Sequence, residues 1–274
     1  MSTLVGVFRE PEFSPGRVED DAAILECTRD ALAERGVAMV LGSVDLLAGT
    51  PPEAVLAMCQ SDRSLAVLDR AAAVTTVINH PSAIRGCYRH ETVRRLADTA
   101  APFPPTRLVA TATTADVPDA APCWVKRGDV HAMMADDVVF AERAADVHAA
   151  LADFSARGIP RAALQSHIEG VVVKFYGVID GRFFRCFAQG TEIPASLPTL
   201  WEAARSGATA LGLEVFGGDL VVTGDGRPML VDINDWPSFA RCRDEAADAI
   251  ASYVVDRLSA RTSHHTQGRQ EHHG

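Results

Sequence analysis

Two Asp-Gly dipeptides, each set between strand-like runs, constrain the fold of this 274-residue chain more than any other feature. Asp-Gly at the two central positions favours a short β-hairpin loop, because both residues tolerate positive φ. One lies at Asp180-Gly181 within VVVKFYGVIDGRFFRCFAQ, and the other at Asp225-Gly226 within DLVVTGDGRPMLVDIN. A hairpin fixes which residues face each other, so each ribbon predicts a set of side chains on one face of a sheet.

The second ribbon gathers acidic side chains. With a two-residue loop at its Asp-Gly, Asp219 faces Asp232, and Asn234 projects to the same face because it lies two residues further along. Opposed carboxylates weaken a sheet unless a cation lies between them. Hard oxygen ligands suit Mg²⁺, so the ribbon predicts a magnesium site at these three residues. The alternative is a solvated acidic face on an edge strand.

The first ribbon gathers basic side chains. Its register places Lys174 opposite Phe187 and Tyr176 opposite Arg185, so Lys174 and Arg185 are diagonal neighbours within reach of one anion. The alternative is a polar, solvent-facing side of the sheet. Of the 26 basic residues only Lys126 and Lys174 are lysines, which favours positions where a compact ammonium is required. The alternative is that the two lysines have no special role.

The sequence predicts an α/β protein that consists of several lobes. Alternating strands and helices in residues 1–80 indicate a parallel, Rossmann-like lobe, in which Pro51-Pro52 begins a helix and Ser64–Leu68 is a strand. Residues 81–168 form a smaller α+β lobe, with a helix from Pro81 and a boundary at Pro102–Pro105. Residues 169–258 hold both hairpins and a final helix, and residues 259–274 are expected to be a disordered tail.

Composition excludes some classes of partner. A net charge of −10 argues against nucleic acid, since phosphate backbones need a basic surface. No apolar run approaches the ~20 residues that span a bilayer, and the first residues lack a signal-peptide pattern, so no membrane partner is expected. Six cysteines without a CxxC pair favour reduced thiols in the cytoplasm. The formation of a homodimer is left open.

Taken in order, these residues resemble the ATP-grasp superfamily over about residues 80 to 257. The resemblance implies MgATP as cofactor, a phosphate contact from Lys126 and a basic strand residue at Lys174. It implies metal ligands at Asp219, Asp232 and Asn234. It also implies an adenine-binding hinge that consists of Gln165, Ser166, His167, Ile168 and Glu169.

The sequence departs from the superfamily at three positions. At the metal site Asp232-Ile233-Asn234 replaces the Glu-x-Asn that many ligases carry. Val172 replaces a carboxylate that many members carry two residues before the basic strand residue. An N-terminal-lobe lysine for the phosphates is absent, and Arg89 is its candidate replacement.

The resemblance implies a ligase. In most members ATP phosphorylates a carboxylate, and an amine or similar nucleophile attacks the acyl phosphate, with Lys174 or Arg185 holding that group here. The acceptor is expected to be a small molecule or a peptide. The alternative is direct phosphotransfer to a hydroxyl, because VVVKFYGVIDG and VDINDWPSF are similar to the inositol polyphosphate kinases of the same superfamily. A non-catalytic nucleotide-binding module is a third interpretation. His131 and His167 are interpreted as loop and hinge histidines in preference to general bases.

Overall fold

A computed structural model of the protein describes residues 3–112, 121–130, 132–190 and 192–270, with side chains through residue 260. The strands are β1 (Thr3–Val7), β2 (Ala38–Gly42), β3 (Ala54–Ala57), β4 (Thr76–Ile78), β5 (Thr106–Ala110), β6 (Cys123–Arg127), β7 (Val138–Ala141), β8 (Arg161–Ser166), β9 (Val171–Val178), β10 (Phe184–Ala188), β11 (Val215–Val222) and β12 (Pro228–Asp235). The helices are α1 (Val18–Glu34), α2 (Asp62–Ala72), α3 (Pro81–Gly86), α4 (Arg89–Leu96), α5 (Ala144–Ala156), α6 (Leu197–Leu211) and α7 (Arg243–Gln270).

The chain divides into two compact units. The first comprises Met1–Pro81, Asp180–Phe183 and Ser238–Gly274, and the second comprises Ser82–Ile179 and Phe184–Pro237. The sequence-based division at residues 80, 168 and 258 stays a prediction.

The first unit contains a parallel sheet with the strand order β2-β1-β3-β4. Parallel neighbours need crossover connections, and α1 connects β1 to β2 while α2 connects β3 to β4. Helix α1 also packs against α7. This is the parallel α/β arrangement predicted from the alternation of strands and helices in residues 1–80.

Two elements of the first unit were predicted wrongly. The region after Pro51-Pro52 forms the strand β3, not a helix, and Ser64–Leu68 lies in α2, not in a strand. All four side chains of β3 are buried, so its continuous apolar run is that of a parallel strand covered on both faces. The Ser61 hydroxyl accepts from the Ser64 N–H and starts α2 at Asp62.

The second unit contains two antiparallel sheets, with strand orders β5-β8-β6-β7 and β10-β9-β11-β12. Helix α5 covers one face of the first sheet through a core around Leu151 and Phe154. Helix α6 covers one face of the second sheet, where Leu200 of the helix shares a core with the strand residues Phe175 and Phe216. The α/β fold class with α+β lobes is thereby confirmed.

Two helical regions differ from the prediction. The helix expected to run on from Pro81 is interrupted after Gly86, and α4 begins at Arg89. Helix α7 continues to Gln270, so residues 259–270 are helical where a disordered tail was expected. An existing helix gains one hydrogen bond for each residue added, which favours extension over a polar segment. Among the described residues, no helix has the length and apolar character needed to cross a membrane.

We predict that Gly218→Ala destabilises the second unit. A Cβ on Gly218 would overlap the backbone oxygen of Asp232 on the neighbouring strand, and neither strand can move without losing ladder hydrogen bonds. Overpacking of this kind costs about 1–3 kcal/mol. Urea unfolding measures the loss. Gly224→Ala in the same hairpin is the control, because no described residue other than its chain neighbours has a heavy atom within 4 Å of its Cβ position. Equal stability of the two variants would contradict the prediction.

Candidate active site

The hairpin of β11 and β12 places Asp219 directly opposite Asp232, as the sequence predicted. The loop between the two strands differs from the predicted one. It has three residues instead of two, and the Thr223 N–H donates to the Arg227 carbonyl. A three-residue loop alone would set Asp219 opposite Val231. A β-bulge next to Asp219 inserts Val231 as an extra residue in β12 and restores the expected pair.

A lysine of the adjacent strand lies beside this carboxylate pair. Lys174 on β9 is the register partner of Asp219, and its Nζ lies 3.0 Å from Oδ1 and 3.2 Å from Oδ2 of that carboxylate. Burial raises the pKa of Asp219, and the Asp232 carboxylate raises it further against the opposing effect of Lys174. The ion pair therefore offsets part of the repulsion that two facing carboxylates create.

Asp232 is held from two sides. Arg89 at the start of α4 donates from Nη1 to Oδ1 at 2.9 Å, and Asn234 donates from Nδ2 to Oδ2 at 3.0 Å. Burial works to raise the pKa of Asp232, but Arg89, Lys126 and these hydrogen bonds outweigh it and hold the pKa at about 2. Asp232 is therefore a carboxylate at neutral pH.

Lys126 reaches the same cluster from the other sheet of the unit. Its side chain is buried, and Nζ donates to the Val231 carbonyl at 3.0 Å. The bulge leaves Val231 outside the regular ladder, which makes its carbonyl available to this donor. Burial lowers the pKa of Lys126 to about 8, with Arg89 acting in the same direction and the two aspartates opposing it.

The structure brings together most of the predicted metal and phosphate residues, namely Lys126, Lys174, Asp219, Asp232 and Asn234. Arg185 lies on β10, opposite Tyr176 of β9 as predicted. Its side chain is exposed, and its Nη1 donates to the Phe184 carbonyl at 2.8 Å. Within the described ranges, no group of three or more His, Cys, Asp or Glu side chains is placed to hold a metal. The predicted metal ligands Asp219, Asp232 and Asn234 supply two carboxylates and one amide. This set fits a hard cation that takes further ligands from phosphate or water.

The predicted hinge connects β8 to β9 and is lined by aromatic rings. Gln165 is buried, and among the described residues its Oε1 has no hydrogen-bond partner, so an acceptor is available there for a bound donor. His167 Nδ1 accepts from Trp124 Nε1 at 3.2 Å, which fixes the neutral tautomer with its proton on Nε2. The His167 ring also meets Phe140 edge-on at 4.9 Å.

The remaining hinge residues differ in their exposure and bonding. The backbone N–H groups of Ser166 and His167 already donate to the carbonyls of Pro105 and Pro122. Ile168 is half-buried and Glu169 is exposed. His131 lies outside the described residues.

No protein-family model matches this chain, and no curated protein matches it. Solved structures do. A RimK domain ATP-grasp protein from Sphaerobacter thermophilus is 21% identical with a TM-score of 0.68 over 92% of this chain and 99% of its own. The D-cycloserine synthetase DcsG is 20% identical with a TM-score of 0.65 over 93% and 99%. The D-alanine-D-alanine ligase from Coxiella burnetii is 10% identical with a TM-score of 0.70 over 98% and 99%.

The chain has the ATP-grasp fold. The coverage of nearly the full length of both chains extends the similarity to the parallel sheet as well as to the two antiparallel ones. The predicted ATP-grasp fold is thus confirmed.

One feature of the second unit was missed in the sequence. Asp137, just before β7, is fully buried and accepts the N–H groups of Met133 and Met134 at 2.8 and 3.1 Å. Its carboxylate also pairs with Arg157 at the end of α5 and lies 3.5 Å from Arg127 of β6. The arginine partners are 10 and 20 residues away in sequence, so local patterns do not reveal them. The network connects the backbone at Met133 and Met134 to the end of α5 and to the strand of Lys126.

We predict that Asp137→Ala lowers the free energy of unfolding by about 3 kcal/mol, because two half-buried arginines and two backbone N–H groups lose the fully buried carboxylate that they share. Asp153→Ala is the control, because Asp153 pairs with the same Arg157 but its side chain is 57% exposed. Loss of this surface ion pair costs under about 1 kcal/mol. Urea unfolding compares the two variants with the wild type.

The pH dependence of stability in wild type and Asp137→Ala provides a further test. Burial acts to raise the pKa of Asp137, but its hydrogen bonds and the arginines bring it below the ordinary value. A lowered folded-state pKa contributes stability above the unfolded value of about 4 and loses it as the pH falls through the folded value. The stability difference between wild type and Asp137→Ala should therefore shrink below about pH 4. A difference that grew in acid would contradict this assignment.

Proposed function

We propose that the chain is an ATP-dependent ligase that activates a carboxylate as an acyl phosphate for attack by an amine or similar nucleophile, releasing ADP and phosphate. The observation that carries this proposal is the convergence of two facing carboxylates, an amide and three cationic side chains at one place in the second unit. Phosphoryl transfer depends mainly on positioning and on neutralising charge, and this cluster supplies groups for both.

The structural neighbours support ligation over phosphotransfer to a hydroxyl. They include a D-cycloserine synthetase, a D-alanine-D-alanine ligase, and the ATP-grasp ligase PsnB in complex with a minimal precursor, which is 18% identical with a TM-score of 0.62 over 95% of this chain and 99% of its own. The acceptor in this proposal is therefore a small molecule or a peptide. The inositol polyphosphate kinase alternative is not favoured by these neighbours.

Each group has a role that its chemistry allows. Asp219, Asp232 and Asn234 would hold Mg²⁺, whose charge neutralises developing negative charge on the phosphates when it is bound. Lys126 would turn from the Val231 carbonyl to the nucleotide phosphates, since it is a flexible ammonium on a buried strand. Gln165, Ser166, His167, Ile168 and Glu169 would hold adenine, and the spare Gln165 oxygen is an acceptor for its amino group.

The acyl phosphate needs cations at the strand pair β9 and β10. Lys174 is 45% exposed and Arg185 is exposed, so both can reach a bound anion. Both are proposed as catalytic residues on this ground. A cytoplasmic location, and the lack of nucleic-acid and membrane partners, stay predictions.

A product assay tests the reaction class. Purified protein is supplied with MgATP and panels of carboxylates and amines, including short peptides, and ADP and free phosphate are measured. A ligase releases phosphate only when a carboxylate and a nucleophile are both present, and its product retains no phosphate. Phosphate left on the acceptor would favour the kinase, and nucleotide binding without any turnover would favour a non-catalytic module.

We predict that Asp232→Asn lowers ADP release by about 10²–10³-fold, because it removes a charged metal ligand next to the phosphates. Asp225→Asn in the same hairpin is the matched control, since Asp225 lies at the loop and pairs only with surface groups in the described contacts. Full activity of Asp232→Asn would show that the metal site is misplaced.

We predict that Lys126→Met weakens ATP binding by about 10–100-fold, the usual worth of a charge-assisted hydrogen bond to phosphate. Isothermal titration with a non-hydrolysable ATP analogue and Mg²⁺ measures the change. Arg107→Met, which removes an exposed cation from β5 of the same sheet, should bind as the wild type does. Unchanged affinity in Lys126→Met would remove this lysine from the phosphate site.

A further inference from the structure

A buried arginine occupies one oxygen of a proposed metal ligand. The Arg89 side chain is only 8% exposed, and its Nη1 lies 2.9 Å from Asp232 Oδ1. The other oxygen of Asp232 accepts from Asn234 Nδ2 at 3.0 Å. Both carboxylate oxygens therefore already have hydrogen-bond donors, and one of those donors is a permanent cation.

The named groups around the carboxylate pair carry an excess of positive charge. Asp219 and Asp232 contribute two negative charges, whereas Arg89, Lys126 and Lys174 contribute three positive ones. A free divalent cation that approaches this cluster meets net repulsion. A nucleotide with its phosphates meets attraction, and it brings negative charge that restores the balance for a metal ion.

Arg89 differs from the two lysines in how firmly it is held. Lys174 is 45% exposed and can swing towards solvent. The ammonium of Lys126 donates to a single carbonyl, so it can be redirected by rotation of a flexible side chain. Arg89 is buried and always charged, and within the described residues its Nε is a buried donor with no partner.

We propose that Arg89 prevents the Asp219–Asp232 pair from binding a divalent cation by itself, so that the metal enters only together with the phosphates of a nucleotide. The inference rests on the proposed function, because it concerns the same carboxylates. It assigns Arg89 a positioning role: its charge sets which species the carboxylates accept.

The test measures binding of Mn²⁺, a paramagnetic substitute for Mg²⁺, by electron paramagnetic resonance. Wild type should bind free Mn²⁺ at least about tenfold more weakly than it binds Mn²⁺ in the presence of a non-hydrolysable ATP analogue. Arg89→Met should bind free Mn²⁺ at least about tenfold more tightly than wild type, because one fixed positive charge is gone. Arg89→Lys, which keeps the charge, should stay close to wild type.

Arg94→Met is the matched control, since it removes a 70%-exposed arginine from the same helix, where it pairs with Glu91, and should leave Mn²⁺ binding unchanged. Arg89→Gln is a second neutral variant if the methionine does not fold, as judged by circular dichroism. Equal affinity for free Mn²⁺ in the neutral variants and wild type overturns the proposal. So does wild-type affinity for free Mn²⁺ as high as that with the analogue.

The two proposals fail in different ways. If wild type binds neither the analogue nor Mn²⁺ with it, the proposed function is wrong, while the comparison of free Mn²⁺ binding between Arg89→Met and wild type still decides the role of Arg89. If the analogue and Mn²⁺ bind together and Asp232→Asn abolishes this, but the Arg89 variants match wild type for free Mn²⁺, only the inference about Arg89 is wrong.

Discussion

Two carboxylates facing each other across β11 and β12 are the interaction on which the rest of the second unit depends. Their repulsion opposes the pairing of the strands that carry them, so the folded chain must supply positive charge at this place. It does so from three separate elements: Arg89 from α4, Lys126 from β6 and Lys174 from β9. The arrangement of helix and sheets in this unit is thus coupled to the charge state of one strand pair.

The opposite face of the same sheet explains how the charged face keeps its geometry. Its apolar side chains, among them Phe175, Phe216 and Ile233, are buried with residues of α6 such as Ala204 and Ala208. Alternation along each strand means that fixing the apolar side chains in this core also fixes the polar ones on the other side. A close-packed core on one face therefore orients the lysine and the two aspartates without any direct contact to them.

The sequence predicted what depends on short-range periodicity. Asp-Gly loops and alternation indicated the partners Asp219–Asp232 and Tyr176–Arg185, and the order of motifs indicated the ATP-grasp fold. The strand β3 was missed because a four-residue apolar run fits a helix or a strand equally well, and only burial on both faces decides between them.

Contacts between residues distant in sequence could not be read from local patterns. Arg89 meets Asp232 across 143 residues, and Asp137 meets Arg157 across 20. The bulge at Val231 was also invisible, because a two-residue loop with regular pairing and a three-residue loop with a bulge give the same partner for Asp219. The correct pair was thus obtained from an incorrect loop.

That bulge divides the ribbon into two segments with separate registers. In a regular hairpin, gaining or losing one loop residue would turn every side chain of the returning strand to the other face. Here the extra residue Val231 cancels the register shift that the three-residue loop introduces. The pairs next to the turn, from Leu220 to Val222, therefore have one register, and the pairs beyond the bulge, beginning with Asp219 and Asp232, have another. Evolution can consequently alter the length of this turn and compensate at a single neighbouring position, leaving the chemistry deeper in the ribbon in place.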